Sequence, residues 1–100
     1  MEKTYNINLS FKAKSDLQKL LLYIKDELQE PKIARRYSRL IKSEIKTLEN
    51  NPNRQKTIDE FGTRRLIIKN YSAFYEINEE SGIVNVKRIL YSASDWESKI

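Results

Sequence analysis

Residues 71–91 read YSAFYEINEESGIVNVKRILY. Two runs, Tyr71 to Ile77 and Ile83 to Leu90, are rich in Ile, Val, Tyr and Phe, the residues that suit a pleated, half-buried surface. Between them Asn78-Glu79-Glu80-Ser81-Gly82 is polar and ends on glycine, which reads as a hairpin loop. Strand alternation puts Tyr71, Ala73, Tyr75 and Ile77 on one face, with Val84, Val86 and Leu90 expected opposite them. Upstream, Arg64 to Lys69 is a third run of the same kind, joined through a tight turn or bulge at Lys69-Asn70-Tyr71. Links this short make the three strands an antiparallel meander.

The first half of the chain supplies what covers that sheet. Tyr5, Ile7 and Leu9 alternate with Asn6, Asn8 and Ser10, the period of a strand with one buried face. Ser10 then stands where a helix N-cap is needed, its hydroxyl able to accept an orphan backbone N–H. Ala13, Leu17, Leu20, Leu21, Ile24 and Leu28 follow at helical spacing and predict a helix over 11–30, with Leu22 and Tyr23 outside its apolar stripe. Pro31 breaks this helix and suits the first turn of the next. Ile33, Tyr37, Leu40, Ile41, Ile45 and Leu48 repeat the pattern until Asn50-Asn51-Pro52 stops it, which predicts a second helix over 31–50 and a helical hairpin. Asn53 to Thr63 reads as a polar linker with Phe61 as its apolar anchor. The expected fold class is α+β in the order β-α-α-β-β-β: one domain over 1–100, with the helical hairpin on a four-stranded, largely antiparallel sheet of 4–10, 64–70, 71–78 and 83–91. The tail from Tyr91 to Ile100, with Asp95 and Trp96, is expected to add a helical turn.

Composition narrows the chemistry. The chain of 100 residues is 39% hydrophobic and 33% charged, the balance of a folded domain rather than a disordered one. It has no cysteine and no histidine, which removes disulfides, thiol nucleophiles, the usual zinc sites and histidine-based acid–base catalysis. No metal and no cofactor is expected. No apolar run approaches a membrane span and Met1 to Ser10 has no signal-peptide core, so a cytoplasmic location is expected.

The net charge is +5, from 19 basic and 14 acidic residues. The surplus is concentrated: residues 32–69 hold eleven Lys/Arg against four Asp/Glu. On the second helix Lys32, Arg35, Arg36, Arg39, Lys42 and Lys46 form a basic stripe opposite the apolar one. Such a stripe is either an ordinary solvated face or a surface for nucleic acid or an acidic partner. Arg65, Arg88 and Tyr91 fit poorly as core; structural pairing, for example with Asp59 or Glu60, and a functional role both account for them.

The order of elements, with Leu9-Ser10, Ala13, Asp16-Leu17, Gly62-Thr63-Arg64-Arg65-Leu66, Tyr71 to Ile77, Val84 to Tyr91 and Asp95-Trp96, resembles the RelE/ParE superfamily of toxins from type II toxin–antitoxin systems over nearly the whole chain. The Arg88-Ile89-Leu90-Tyr91 strand and the tail are closer to ParE. That resemblance implies a growth-arresting toxin that binds DNA gyrase and traps it on cleaved DNA. It also implies a cognate antitoxin in a hetero-oligomer, with an acidic, partly disordered segment that folds on binding. Arg88, Tyr91 and Trp96 are the expected target contacts, and Leu22, Tyr23, Arg35, Arg39 and Lys42 the expected antitoxin contacts. The RelE side of the superfamily implies instead a metal-independent nuclease that cuts messenger RNA on the ribosome. Its charge and proton-transfer groups would have to come from Arg65, Lys69, Arg88 and Tyr91, because Ser72 stands where a RelE-type arginine follows the strand's first tyrosine. Tyrosine, with an ordinary pKa near ~10, is a poor base at neutral pH. A non-toxic binding module is the third reading.

Overall fold

A computed structural model describes residues 3–100. Strand β1 (Asn6–Leu9) leads into helix α1 (Phe11–Leu22), whose N-terminus is capped as expected: the Ser10 hydroxyl accepts the Ala13 N–H at 3.0 Å. A π-helical turn over Tyr23–Glu27 follows, and helix α2 spans Pro31–Lys46, continuing as a 3₁₀ turn over Thr47–Glu49. Strands β2 (Arg64–Ile68), β3 (Tyr71–Asn78) and β4 (Ile83–Tyr91) complete a sheet of order β1-β4-β3-β2. The meander is antiparallel throughout, and β1 joins its free edge parallel to β4. The order β-α-α-β-β-β and the helical hairpin on one sheet face are those the sequence predicts.

The chain departs from its sequence pattern in three places, in two of them by breaking a period. The helix expected to run to Glu30 stays α-helical only to Leu22. Pro31 holds Glu30 out of the helical region (φ −128°, ψ 71°), so the helix has to end before it. It does so through the wide i→i+5 turn, with the Leu28 N–H donating to the Tyr23 carbonyl and Gln29 in the left-handed region at φ 51°. The turn shifts the helical phase and turns Leu28 out, leaving it 52% exposed instead of in the core stripe. In β4 the register with β3 slips between Phe74 and Tyr75, making Lys87 the extra residue of a bulge. Side-chain parity inverts there. Ile89 takes the helix-facing position, and Leu90, expected beside Val84 and Val86, goes to the other face beside Ser72. Phe61, expected as the linker's anchor, is 74% exposed. The linker is held instead by the Asp59 carboxylate, which accepts the Phe61 and Thr63 N–H groups at 2.9 Å, and by buried Thr63.

The main core lies between the hairpin and the helix-facing side of the sheet, where Ala13, Ile41, Leu48, Ala73, Tyr75 and Val84 are fully enclosed. The Tyr75 hydroxyl finds its partner in the Pro52 carbonyl at 2.5 Å. Arg54 reaches back to the end of the second helical segment, donating to the Thr47 hydroxyl at 2.7 Å and to the Asn50 carbonyl at 3.3 Å. Among the described residues no helix is long and apolar enough to cross a membrane.

One carboxylate fastens the helical layer to the sheet. β1 pairs with β4 only as far as Val86, so the edge of β4 beyond that point needs other partners. Ser10 supplies two hydrogen bonds: its N–H donates to the Val86 carbonyl and its hydroxyl to the Lys87 carbonyl. Asp16 supplies the rest. Its carboxylate accepts the Ile89 N–H at 3.0 Å and takes the Arg88 guanidinium as a fork, at 2.7 and 2.8 Å. The two side chains are only 10% and 20% exposed. The hydrogen bond that Arg88 donates to Asp16 is the main cause of an Arg88 pKa above its already high ordinary value. Removing one partner of such an enclosed pair leaves the other charge stranded, so Asp16→Ala is expected to cost about 3–5 kcal/mol in urea unfolding. Glu76→Ala, which breaks the half-exposed Lys87–Glu76 pair, is expected to cost under about 1 kcal/mol. Equal costs would show that Asp16 is not the tie described.

Candidate functional site

The turn end of the hairpin, where the first helix passes into α2, forms a groove of about 770 Å³ against the start of β3 and the end of β4. The π-helical turn brings Tyr23 and Leu28 to its rim, the first turns of α2 bring Ile33 and Tyr37, and the sheet brings Tyr71 and Tyr91. Four of these are tyrosines, and three stack edge to face in a chain across the groove. Tyr37 and Tyr71 have ring centroids 5.7 Å apart at 82°, and Tyr71 and Tyr91 lie 5.6 Å apart at 68°. Tyr23 is 53% and Tyr91 50% exposed. Asp16, Lys19 and Glu30 are the charged groups at the margin. Burial, and then the neighbouring phenols of Tyr37, Tyr91 and Tyr23, raise the Tyr71 pKa above the ordinary value, so that hydroxyl stays a neutral donor and acceptor. The surface is broad and aromatic with hydroxyls at its edge, which suits a protein segment better than a reacting small molecule.

The opposite face of the sheet carries a second cluster. The tail turns back in a 3₁₀ turn over Trp96–Ser98, laying Trp96 on Phe74 with centroids 4.9 Å apart. The Arg65 guanidinium lies 4.8 Å from the Trp96 ring centre. Its Nε donates at 2.9 Å to the buried Ser72 hydroxyl, which shares a 2.8 Å hydrogen bond with Ser92. Arg88 also holds the tail, donating to the Lys99 carbonyl at 3.1 Å.

The residues singled out from the sequence therefore fall into separate places. Arg65 and Trp96 meet on the outer face of the sheet, whereas Tyr91 lies on the groove side. Arg88 is engaged by Asp16, and its partner is neither Asp59 nor Glu60. Lys69 is exposed in the β2–β3 turn, in the left-handed region at φ 53°. Leu22 and Tyr23 are exposed at the end of the hairpin, and Tyr23 lines the groove. Arg35, Arg39 and Lys42 are exposed on α2, and none of them lines the groove. Ile33, Tyr37 and Tyr71 belong to the groove but read in the sequence as ordinary members of apolar stripes. The available signal is the choice of tyrosine at four positions around one junction, since a half-buried tyrosine presents an apolar body with a wet hydroxyl.

Comparison with known proteins places this geometry. No curated protein matches the chain. Among solved structures, the chromosomal ParDE toxin–antitoxin system of P. aeruginosa is similar at a TM-score of 0.76 and 20% identity, over 89% of this chain and 97% of that one. The RelBE2 toxin–antitoxin complex of Mycobacterium tuberculosis is similar at a TM-score of 0.64 and 22% identity, over 88% and 98%. The archaeal RelE–RelB complex of Pyrococcus horikoshii is more distant, at a TM-score of 0.55 and 14% identity over 90% and 97%. Likeness at these identities establishes the shared fold. The family model for the ParE toxin of the type II toxin–antitoxin system parDE matches residues 7–96, and the chain belongs to that family of toxins.

Proposed function

We propose that this toxin arrests growth by binding DNA gyrase, without a dedicated catalytic centre, and that a cognate antitoxin silences it by filling the tyrosine groove. One observation carries the first part: the groups a nuclease would need are dispersed. A cleavage site must hold phosphate-stabilising charge and a proton-transfer group within hydrogen-bond reach of one reacting centre. Arg65 and Tyr91 lie on opposite faces of the sheet, Arg88 is spent on Asp16, and Lys69 sits out in a turn. A binding surface has no such requirement, because affinity gathers on a few aromatic and arginine anchors.

The target contact in this reading is the rim where β4 runs into the tail. Tyr91 stands on one side of it and Trp96, backed by Phe74 and Arg65, on the other. Arg88 acts there by position, holding the tail through the Lys99 carbonyl. The antitoxin would lay an apolar helix or strand in the groove, against Tyr23, Leu28, Ile33 and Tyr71, with Leu22 beside it. Tyr91 belongs to both surfaces, so antitoxin and target would exclude each other.

Two measurements follow. Tyr23→Ala and Ile33→Ala are each expected to weaken binding of the antitoxin encoded beside the toxin about tenfold or more by calorimetry, a loss of about 1.4 kcal/mol or more. Affinities within twofold of the parent would place the antitoxin elsewhere. In growth-arrest assays, truncation after Leu90 and the milder Trp96→Ala are both expected to abolish or sharply reduce toxicity. Arg65→Ala should lose far less than the 10²–10³-fold typical of a lost transition-state contact, estimated at about 3–4 kcal/mol. Full toxicity of the truncated chain would remove the tail from the target contact.

A further inference from the structure

The outer face of α2 has a character that neither the groove nor the tail explains. Lys32, Arg35, Arg36, Arg39, Lys42 and Lys46 follow one another at helical steps of three or four, or side by side. At ~100° per residue they fan over an arc of roughly 120°, centred opposite the buried Ala34, Ile41 and Ile45. All six are exposed. None makes an ion pair among the described residues, whose ion pairs are Lys3–Glu79, Lys87–Glu76 and Arg88–Asp16. Of the 14 acidic residues in the chain, Glu44 alone lies within α2, and it sits on the flank toward the core. Like charges at these spacings weaken a helix, and a solvated face normally mixes signs to avoid it. Here the repulsion is left in place.

We infer that this face is a docking surface for the phosphate backbone of duplex DNA, bound without sequence preference. Three features select that partner. The arc holds no apolar or aromatic anchor, so it lacks the hot spots by which a folded or folding protein segment is gripped. The charge density fits. The stripe runs ~21 Å from residue 32 to residue 46, one cation per roughly 4 Å, against one phosphate per about 3.4 Å of axis along a DNA strand. An extended acidic peptide offers same-side charges only every ~7 Å. The width fits as well. A helix about 10–12 Å across enters the ≈ 12 Å major groove of B-form DNA, and a fan of this width reaches both phosphate rows that flank it. The major groove of A-form RNA is too narrow. The stripe faces away from the core and lines no part of the tyrosine groove, so an antitoxin seated there leaves it free.

The test is fluorescence anisotropy with the full chain and a 30-base-pair DNA duplex of arbitrary sequence, titrated between 50 and 200 mM salt. Two triple variants carry the same change in net charge: Arg35→Glu, Arg39→Glu, Lys42→Glu on the stripe, and Lys12→Glu, Lys14→Glu, Lys25→Glu on exposed positions of the first helical segment. The parent is expected to bind at 50 mM salt and lose about 10³-fold by 200 mM, a log–log slope near −5 from about six phosphate contacts. The stripe variant should lose about three units of that slope and more than tenfold in affinity, while the other keeps the parental slope. Duplex RNA of the same length should bind more weakly than DNA. Absence of binding at 50 mM salt, equal losses in the two variants, or equal affinity for RNA would overturn the assignment. So would a stripe variant that binds DNA normally and loses its antitoxin, which would make the face a protein surface.

Discussion

The carboxylate of Asp16 is the point on which the two halves of this molecule meet. β1 is too short to cover the edge of β4, and from Val86 onward that edge would face solvent or misplaced side chains. Asp16, one turn and a half into α1, answers an unpaired N–H at Ile89 and a guanidinium at Arg88 together. The consequences spread in two directions. Fixing α1 against β4 sets the distance between hairpin and sheet, and therefore the width of the tyrosine groove. Fixing Arg88 leaves its remaining nitrogen to hold the Lys99 carbonyl, which brings the tail across the outer face of the sheet. A hydrophobic pair of similar volume could match the packing, but it could not satisfy the open edge of the strand.

From that frame the chain presents three surfaces of different chemistry. The groove is aromatic, with hydroxyl rims. The outer sheet face is a stacked cluster of Trp96, Phe74 and Arg65, with buried Ser72 and its hydrogen-bonded neighbour Ser92 behind it. The outer side of α2 carries bare cations. Each surface has one kind of complementarity, and Tyr91 lines the groove at the point where β4 runs into the tail.

Local signals in the sequence survive folding almost unchanged. Ser10 caps, Pro31 starts a helix, Asn51 adopts the left-handed conformation before Pro52, and Gly82 closes the hairpin at φ 68°. These depend on the residue and its neighbours alone, which is why they are legible. Leu28 and Leu90 are misplaced by periodicity for a shared reason. A π-turn and a β-bulge each insert one residue into a repeat, and the sequence carries no mark of the insertion. The site is harder to read than the fold. Leu22 and Tyr23 announce themselves by falling off the apolar stripe, but Ile33, Tyr37 and Tyr71 obey their stripes and become a groove only when three elements converge. The partner of Arg88 lies 72 residues away, in a helix whose polar positions look interchangeable until the edge of β4 is placed beside them.

If binding rather than cleavage is the mode of action, its direct measure is a side-by-side assay of purified toxin. One arm holds DNA gyrase with relaxed plasmid, the other ribosomes translating a defined messenger RNA. Loss of supercoiling, with cleaved DNA accumulating, is expected while the messenger stays intact. Cut messenger with supercoiling untouched would make the toxin a nuclease instead.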